Sequence, residues 1–400
     1  MAKLNGKDIM LIGCLLGGGG GSPIEVSTEA EMTALLVEEN IGRIYRYTGE
    51  TATYTQGSLY EVILGEGEGN LEFMLLSGGG GGGSSENKLA LLVGTQDATN
   101  NPYEITASDL GDMTEIGAYV FYEKDGMTNI DLSNITKIGQ KAFYGCNGLT
   151  EITIDNDVPP VYEAGWFTNC TNLKKVYAPK LTTIPSRFLE SCTAIEELYC
   201  PEVTRIEGAY SMGGTSSKRS FAGKDLVFPK VTYVGQSAFS NCGARKISFP
   251  ALVTGLESFP FYENPNLEEI DLPLLETAPT TYFVYKCQKV TKLVLPKLTK
   301  LDFGSIYYYN TKLSLIDLPS ATTLTCARNQ FSSGTPNIRL KLGYDGVVAL
   351  NKASNAVFPN AITEVYVKPN YVEEYKIATN WVDWVAQGTV TIKSLDEFVE

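Results

Sequence analysis

Four hundred residues with 32 basic and 46 acidic side chains, a net charge of −14, exceed one ordinary core and point to several domains or a repeat array. The acidic balance argues against nucleic acid and anionic membrane as partners, because both repel a negative chain. The lack of any histidine removes Ser-His and Cys-His nucleophile pairs, His-ligated zinc and His general bases, and no run of 18 apolar residues offers a membrane span.

The chain opens with a segment, residues 1–26, expected to serve attachment or assembly. Leu11-Ile12-Gly13-Cys14 has the form of a lipobox, but the apolar run is short and Asp8 interrupts its approach, so a processed leader is not expected. Two glycine runs follow, Gly17, Gly18, Gly19, Gly20, Gly21 and a second that starts Gly78, Gly79, Gly80 and ends at Gly83. They are either flexible linkers or extended packing elements inside a multimer. Residues 27–90 read as a small α/β module. Thr28 to Glu31 forms a capping box, Met32, Leu35 and Leu36 fall at helical spacing, and Gly42 ends the helix. Arg43–Tyr47 and Leu59–Ile63 alternate like the two strands of a hairpin.

Residues 91–400 are dominated by a repeat. Strand-like segments closed by proline recur at Pro179, Pro201, Pro229, Pro250, Pro273, Pro296 and Pro319, at spacings of 22, 28, 21, 23, 23 and 23 residues. Ile130 to Ser133, Ile152 to Asp155 and Leu340 to Gly343 are copies without the proline. After each proline comes an apolar residue such as Leu181, Val203 or Val231. A second follows, such as Ile184, Ile206 or Val234. An aromatic is next (Phe143, Phe167, Phe188, Phe239, Phe283), then a cysteine (Cys146, Cys170, Cys192, Cys242, Cys287). An aliphatic such as Leu149, Leu173 or Ile195 closes the unit. One such unit cannot bury its apolar side alone, so stacked neighbours share a continuous core in which like residues form ladders. The expected fold class is an α/β repeat: a solenoid with parallel strands on one face and short returns behind, plus the small front module.

The run from Thr136 to Ile152, TKIGQKAFYGCNGLTEI, and its echo YVGQSAFSNC at Tyr233–Cys242 resemble the BspA-like leucine-rich-repeat family. Ile105–Phe121 resembles the family's capping repeat, expected at about 103–127, and Val365–Trp381 its closing strand and helix, in a cap at about 361–400. From about Gly255 onward the return segments depart from the pattern. KLNGKDI at Lys3–Ile9 and the stretch Met32–Ile63 resemble the front of phage tail and baseplate proteins.

These resemblances imply a non-catalytic virion protein, a tail, baseplate or head fibre, whose solenoid binds a host surface protein or polysaccharide. The front would dock on other virion proteins and the whole would form a homo-oligomer, with the glycine runs as assembly elements. A secreted surface adhesin and a polysaccharide-degrading fibre are the alternatives. The apparent lack of an export signal favours the virion, and the lack of a catalytic signature speaks against the degrading fibre.

The outward strand positions are the candidate partner-binding face: Lys175, Glu197, Asp225 and Lys246 in one column, Tyr177, Tyr199 and Asp271 in the next. The column of charges could equally be solvated cross-strand pairing, and the tyrosines could pack under a neighbouring loop. The long repeat between Pro201 and Pro229 adds loop-like residues Tyr210 to Arg219, which are further candidates. No metal or cofactor is expected. The eight cysteines contain no C-x-x-C pair and read as small apolar ladder residues with free thiols.

Overall fold

The structure, a computed structural model, describes residues 102–161, 164–306, 310–326 and 337–400, together with the backbone of six strands ahead of them. In the front segment the expected hairpin is present: Ile44–Tyr47 runs antiparallel to Leu59–Leu64, with Tyr45 opposite Tyr60. Leu71–Ser77 extends it antiparallel, and Ile24–Val26 adds a parallel edge. The helix expected after Thr28 and both glycine runs lie outside the described residues.

The chain divides into two compact units. The first holds residues 1–181 and 187–200, the second 182–186 and 201–400. Each contains parallel-strand solenoid. In the first unit Glu151–Thr153, Lys175–Tyr177 and Glu197–Tyr199 pair in register, Ile152 with Val176 with Leu198. In the second, Asp225–Val227, Lys246–Ser248 and Glu269–Asp271 form one such ladder. Another runs through Lys292–Val294, Leu315–Asp317, Ile338–Leu342, Ile362–Val367 and Thr391–Ser394. The middle residues Ile152, Val176, Leu226, Ile247 and Ile270 are buried while most of their neighbours are exposed, as a period of two requires. The second short strand of each repeat is reduced to single bridges at Val234–Leu256 and Thr277–Lys300 and returns as a parallel ladder of Lys300–Asp302, Thr323–Cys326 and Ala349–Lys352.

Most returns between Tyr119 and Lys286 bend through two left-handed positions, whereas Phe303–Ser305 forms a 3-10 turn. In the rung of Phe143 they are Lys141 and Gly145, and in the next Gly165 and Asn169. Between them stands the inner ring. Phe121, Phe143 and Phe167 stack at 5.3 and 5.1 Å with planes 12° and 14° apart, close to the spacing of paired strands. The returns correct two sequence assignments. Phe188 and Phe283 are buried, but each sits one residue early, directly after the left-handed Arg187 and Tyr282, where Ala142, Trp166 and Ala238 sit in other rungs. Leu189 and Val284 take the inner place. Phe188 consequently meets Phe167 edge-on at 73° and does not continue the stack.

The cysteine position also needs correcting: it is not simply apolar. Cys146 Sγ donates to Phe121 O at 2.7 Å, Cys170 to Phe143 O at 3.0 Å, Cys192 to Phe167 O at 2.9 Å and Cys287 to Phe261 O at 3.1 Å. Asn264 and Asn310 replace cysteine in two rungs and make the same bond, to Phe239 O and Val284 O, each at 2.7 Å. The position calls for a small donor that reaches a buried carbonyl of the preceding rung, in several rungs as a second bond beside a backbone one such as Cys146 N to Phe143 O at 3.3 Å. All seven described cysteines are free thiols. Gly148 shows how closely rungs approach: a Cβ there would lie 2.2 Å from Asp125 O.

The helices Val372–Ile377 and Trp381–Ala386 bury Tyr375, Trp381 and Trp384 at the C-terminal end of the second unit. Trp381 Nε1 donates to Val348 O at 2.8 Å. Among the described residues no helix is long and apolar enough to cross a membrane.

Candidate binding surface

In the first unit the outward face of three paired strands carries the tyrosine pair. Tyr177 and Tyr199 are paired in register, so their side chains stand on the same side one rung apart. Their rings stack at 4.8 Å with planes 6° apart, and they are 47% and 49% exposed. Half-exposed rings of this size are not covered by a loop among the described residues. Because the rings face each other, the pair presents its phenol edges to solvent and acts as one rigid block.

Charges alternate beside this block in the order Glu151, Lys175, Glu197. Lys175 Nζ lies 3.2 Å from Glu151, and that hydrogen-bonded carboxylate holds the ammonium above the ordinary lysine value. Lys174 and Glu196 sit 3.7 Å apart on the same strands' approaches. Both pairs are exposed, so each contributes little to stability. Together with Glu197 they frame the tyrosines with a net charge of −1.

In the second unit the same column runs Asp225, Lys246, Glu269. Arg245 pairs with Asp225, and Lys246 with Glu269, whose hydrogen bond raises the lysine's proton affinity. In the next column Val227 is exposed, Ser248 is buried and donates to Asp271 at 2.6 Å. Asp225, Lys246 and Asp271 are therefore already engaged with one another's rungs.

Farther along, the last residues of the chain cross the strand face. Phe398 packs edge-on against Tyr366 at 5.0 Å, with Lys341 Nζ 4.7 Å and the Arg339 guanidinium 4.8 Å from its ring. Arg339 donates to Val399 O, and Lys292 reaches Glu400 at 3.2 Å. Leu315 lies between Lys292 and Arg339 in register and is buried although it points outward. The sequence showed no sign of this cover.

The long repeat is mostly not a loop. Tyr210 N, Met212 N and Gly214 N donate to Ser237 O, Ala238 O and Ser240 O, so Tyr210 to Gly214 run as a solenoid rung. Only Thr215 to Lys218 stand clear, closed by reciprocal bonds between Thr215 and Lys218 at 2.9 and 3.2 Å. Tyr210 is half-buried at a left-handed φ of 61°. Arg219 is half-buried, and its Nε has no hydrogen-bond partner among the described residues. Gly17 to Gly21 and Gly78 to Gly80, expected as assembly elements, lie outside the described residues. Among the described residues no cluster of three potential metal-ligating side chains occurs.

Parallel three-residue strands, a left-handed return and a ladder of stacked rings define a leucine-rich-repeat solenoid that displays a periodic outer face. The model of the BspA-type leucine-rich-repeat region matches residues 114–222 and 217–335, more than half of the sequence, and the chain belongs to that family. A leucine-rich repeat protein from Bacteroides ovatus ATCC 8483 is 16% identical over 84% of this chain and 90% of its own, with a TM-score of 0.31. A leucine-rich cell surface protein from Faecalibacterium prausnitzii A2-165 is 18% identical over 56% and 74%, at 0.27. The pneumococcal vaccine antigen PcpA is 14% identical over 90% and 100%, at 0.27. No curated protein matches the chain.

Proposed function

We propose that this chain is a non-catalytic adhesion protein displayed at a bacterial surface, binding a host or neighbouring-cell component through its outward strand face. Membership of the BspA-type family supports a display role, because such a solenoid spends its length on surface. The observation that carries the reading is the Tyr177–Tyr199 block, stacked, half-exposed and framed by paired charges. Rigid aromatic anchors ringed by polar groups are the usual centres of binding energy. Individual contacts can be weak when many copies act together on one surface.

A second reading, a phage fibre with the same binding face, rests on the resemblance of residues 3–9 and 32–63 alone. The family match begins only at residue 114, so it leaves the two apart. The test is antibody labelling of intact cells of the source bacterium, paired with mass spectrometry of particles purified from the same culture. Surface label with no chain in particles is the expected result. Stoichiometric chain in particles and unlabelled cells would replace the adhesin with the virion reading. In either setting the purified chain should adhere to target cells, and Y177A/Y199A should not. Adhesion unaffected by that double substitution overturns the strand-face assignment.

A further inference from the structure

On the return side of the second unit, two successive rungs carry aromatic side chains at their outer corner. Phe259 and Tyr262 stand in one rung and Tyr282 and Tyr285 in the next, all four half-exposed. Backbone bonds fix the register: Phe259 N donates to Thr281 O at 3.3 Å and Glu263 N to Tyr285 O at 2.9 Å. The preceding rung has Ser237 and Ser240 in these two places, aligned by bonds from Ser237 N to Ser258 O and Asn241 N to Tyr262 O.

Tyr262 and Tyr285 stack at 4.6 Å with planes 2° apart, the spacing of adjacent rungs, so their common normal runs from rung to rung. Tyr285 covers one face of Tyr262. The opposite face is turned toward the rung that offers only Ser240, which is too short to cover it. Tyr282 stands across the stack at 83° to Tyr262 and 80° to Tyr285, and Phe259 lies 5.0 Å from Tyr282. The rings thus form a right-angled corner. With centroids 4.6 to 6.4 Å apart they touch one another, so no cation fits between them and a ligand has to lie against the corner.

Phe259 and Tyr282 hold the left-handed place of their returns, at φ 59° and 46°, which Lys141, Arg187 and Ser237 hold elsewhere, so the fold does not itself require an aromatic there. The charge at the corner is balanced: Lys286 Nζ lies 2.6 Å from Glu263 and 5.3 Å from the Tyr285 ring centre. An ionic ligand finds its counter-charge already taken. Burial and the Glu263 carboxylate push the Tyr262 phenol up to about 12, so it stays a hydrogen-bond donor.

We propose that this corner is a carbohydrate-binding site for a neutral pyranose of a glycan. The apolar C–H face of the sugar lies on the open face of Tyr262, and its hydroxyls meet the phenol groups and the Lys286–Glu263 pair. A sugar ring matches this surface because it has one apolar face, a rim of donors and acceptors, and no charge. The site is separate from the strand face of the first unit, so either can fail without the other.

The test is isothermal titration and saturation-transfer NMR of the full chain with cellotetraose, maltotetraose, galactotetraose and N-acetyllactosamine. F259S/Y262S gives this rung the residues of the preceding one, and its folding is checked by thermal melting. Ser237→Arg leaves the rings in place but covers the step in front of them; Arg187 occupies the equivalent left-handed place in another rung. At least one saccharide should bind, weakened about tenfold or more by both variants and unchanged by Y177A/Y199A. Binding by none of the four, binding unchanged in F259S/Y262S or in Ser237→Arg, or dependence of a peptide and not a sugar on the corner each overturns the proposal.

Discussion

The buried thiols give a quantitative test of the ladder. Burial pushes Cys242, Cys287 and Cys326 up to about 12, and Cys146, Cys170 and Cys192 also lie well above the usual thiol range. An ordinary thiol with a pKa near 8.5–9 is about one tenth thiolate or more at pH 8; at about 12 the fraction falls to about one in ten thousand. Alkylation should therefore slow by about three orders of magnitude from ionisation alone, before any steric exclusion. The measurement is iodoacetamide labelling at pH 8, native and in guanidinium, followed by peptide mapping so that Cys14 and the half-buried Cys200 are scored separately. Labelling of Cys170, Cys242 or Cys287 in the native chain within about tenfold of the denatured rate would refute the ladder assignment. The same shifts set a pH dependence. A folded pKa raised above the unfolded one contributes stability below about pH 9 that is lost as pH rises toward 12, because the unfolded chain then binds fewer protons. Each thiol adds a slope of about 1.4 kcal/mol per pH unit, so Cys242, Cys287 and Cys326 together remove about 4 kcal/mol per unit. Alkaline unfolding should begin soon above pH 9, and flat stability to pH 11 would contradict the burial.

Three further outcomes are expected. Phe167→Ala removes a fully buried ring stacked on Phe143 and should cost about 3–5 kcal/mol in chemical denaturation; a loss below about 1 kcal/mol would mean that the stack does not hold the returns. Cys170→Ala removes one of the two donors to Phe143 O, which keeps the Cys146 N–H at 3.3 Å, and should cost about 1 kcal/mol, whereas Cys170→Ser keeps both donors and should cost less; equal losses would mean that only volume matters there. Tyr177→Ala should lower stability by only about 1 kcal/mol, the value of a half-exposed stacked pair, yet weaken adhesion by about 30-fold or more; a stability loss above about 3 kcal/mol would make the ring structural.

The strands were legible in the sequence and much of the return geometry was not, for a physical reason. A three-residue strand has a fixed period of two, so Lys175-Val176-Tyr177 already states which side chain is buried. The return has no fixed period: its path is set by two left-handed positions, which residues as different as Lys141, Arg187, Ser237 and Phe259 can occupy. The cysteine spacing does carry the shift of Phe188, which stands four residues before Cys192 where Phe167 stands three before Cys170, but what the shift does to the ring is set by the left-handed positions. The donor role of the cysteines did leave a signal. Asn264 and Asn310 fall three residues before Leu267 and Leu313, as Cys146 and Cys170 do before Leu149 and Leu173. Where cysteine alternates with asparagine, the shared property is a small donor and not apolarity.

The candidate surface divides along the same line. Parallel pairing in register turns a sequence period into a row of outward side chains, which is why Tyr177 and Tyr199 could be placed side by side from the sequence. Whether a row is open depends on contacts between distant segments, which no local pattern encodes. Leu315 belongs to the same kind of outward column but is covered where Val399 and Glu400 reach Arg339 and Lys292. The outward face is thus not uniform: its exposed apolar material gathers at Tyr177 and Tyr199 in the first unit and at isolated valines such as Val227 and Val294 in the second. A stacked aromatic pair offers a partner a preorganised contact that a lone valine does not, so a ligand of the strand face gains most of its energy at the tyrosines.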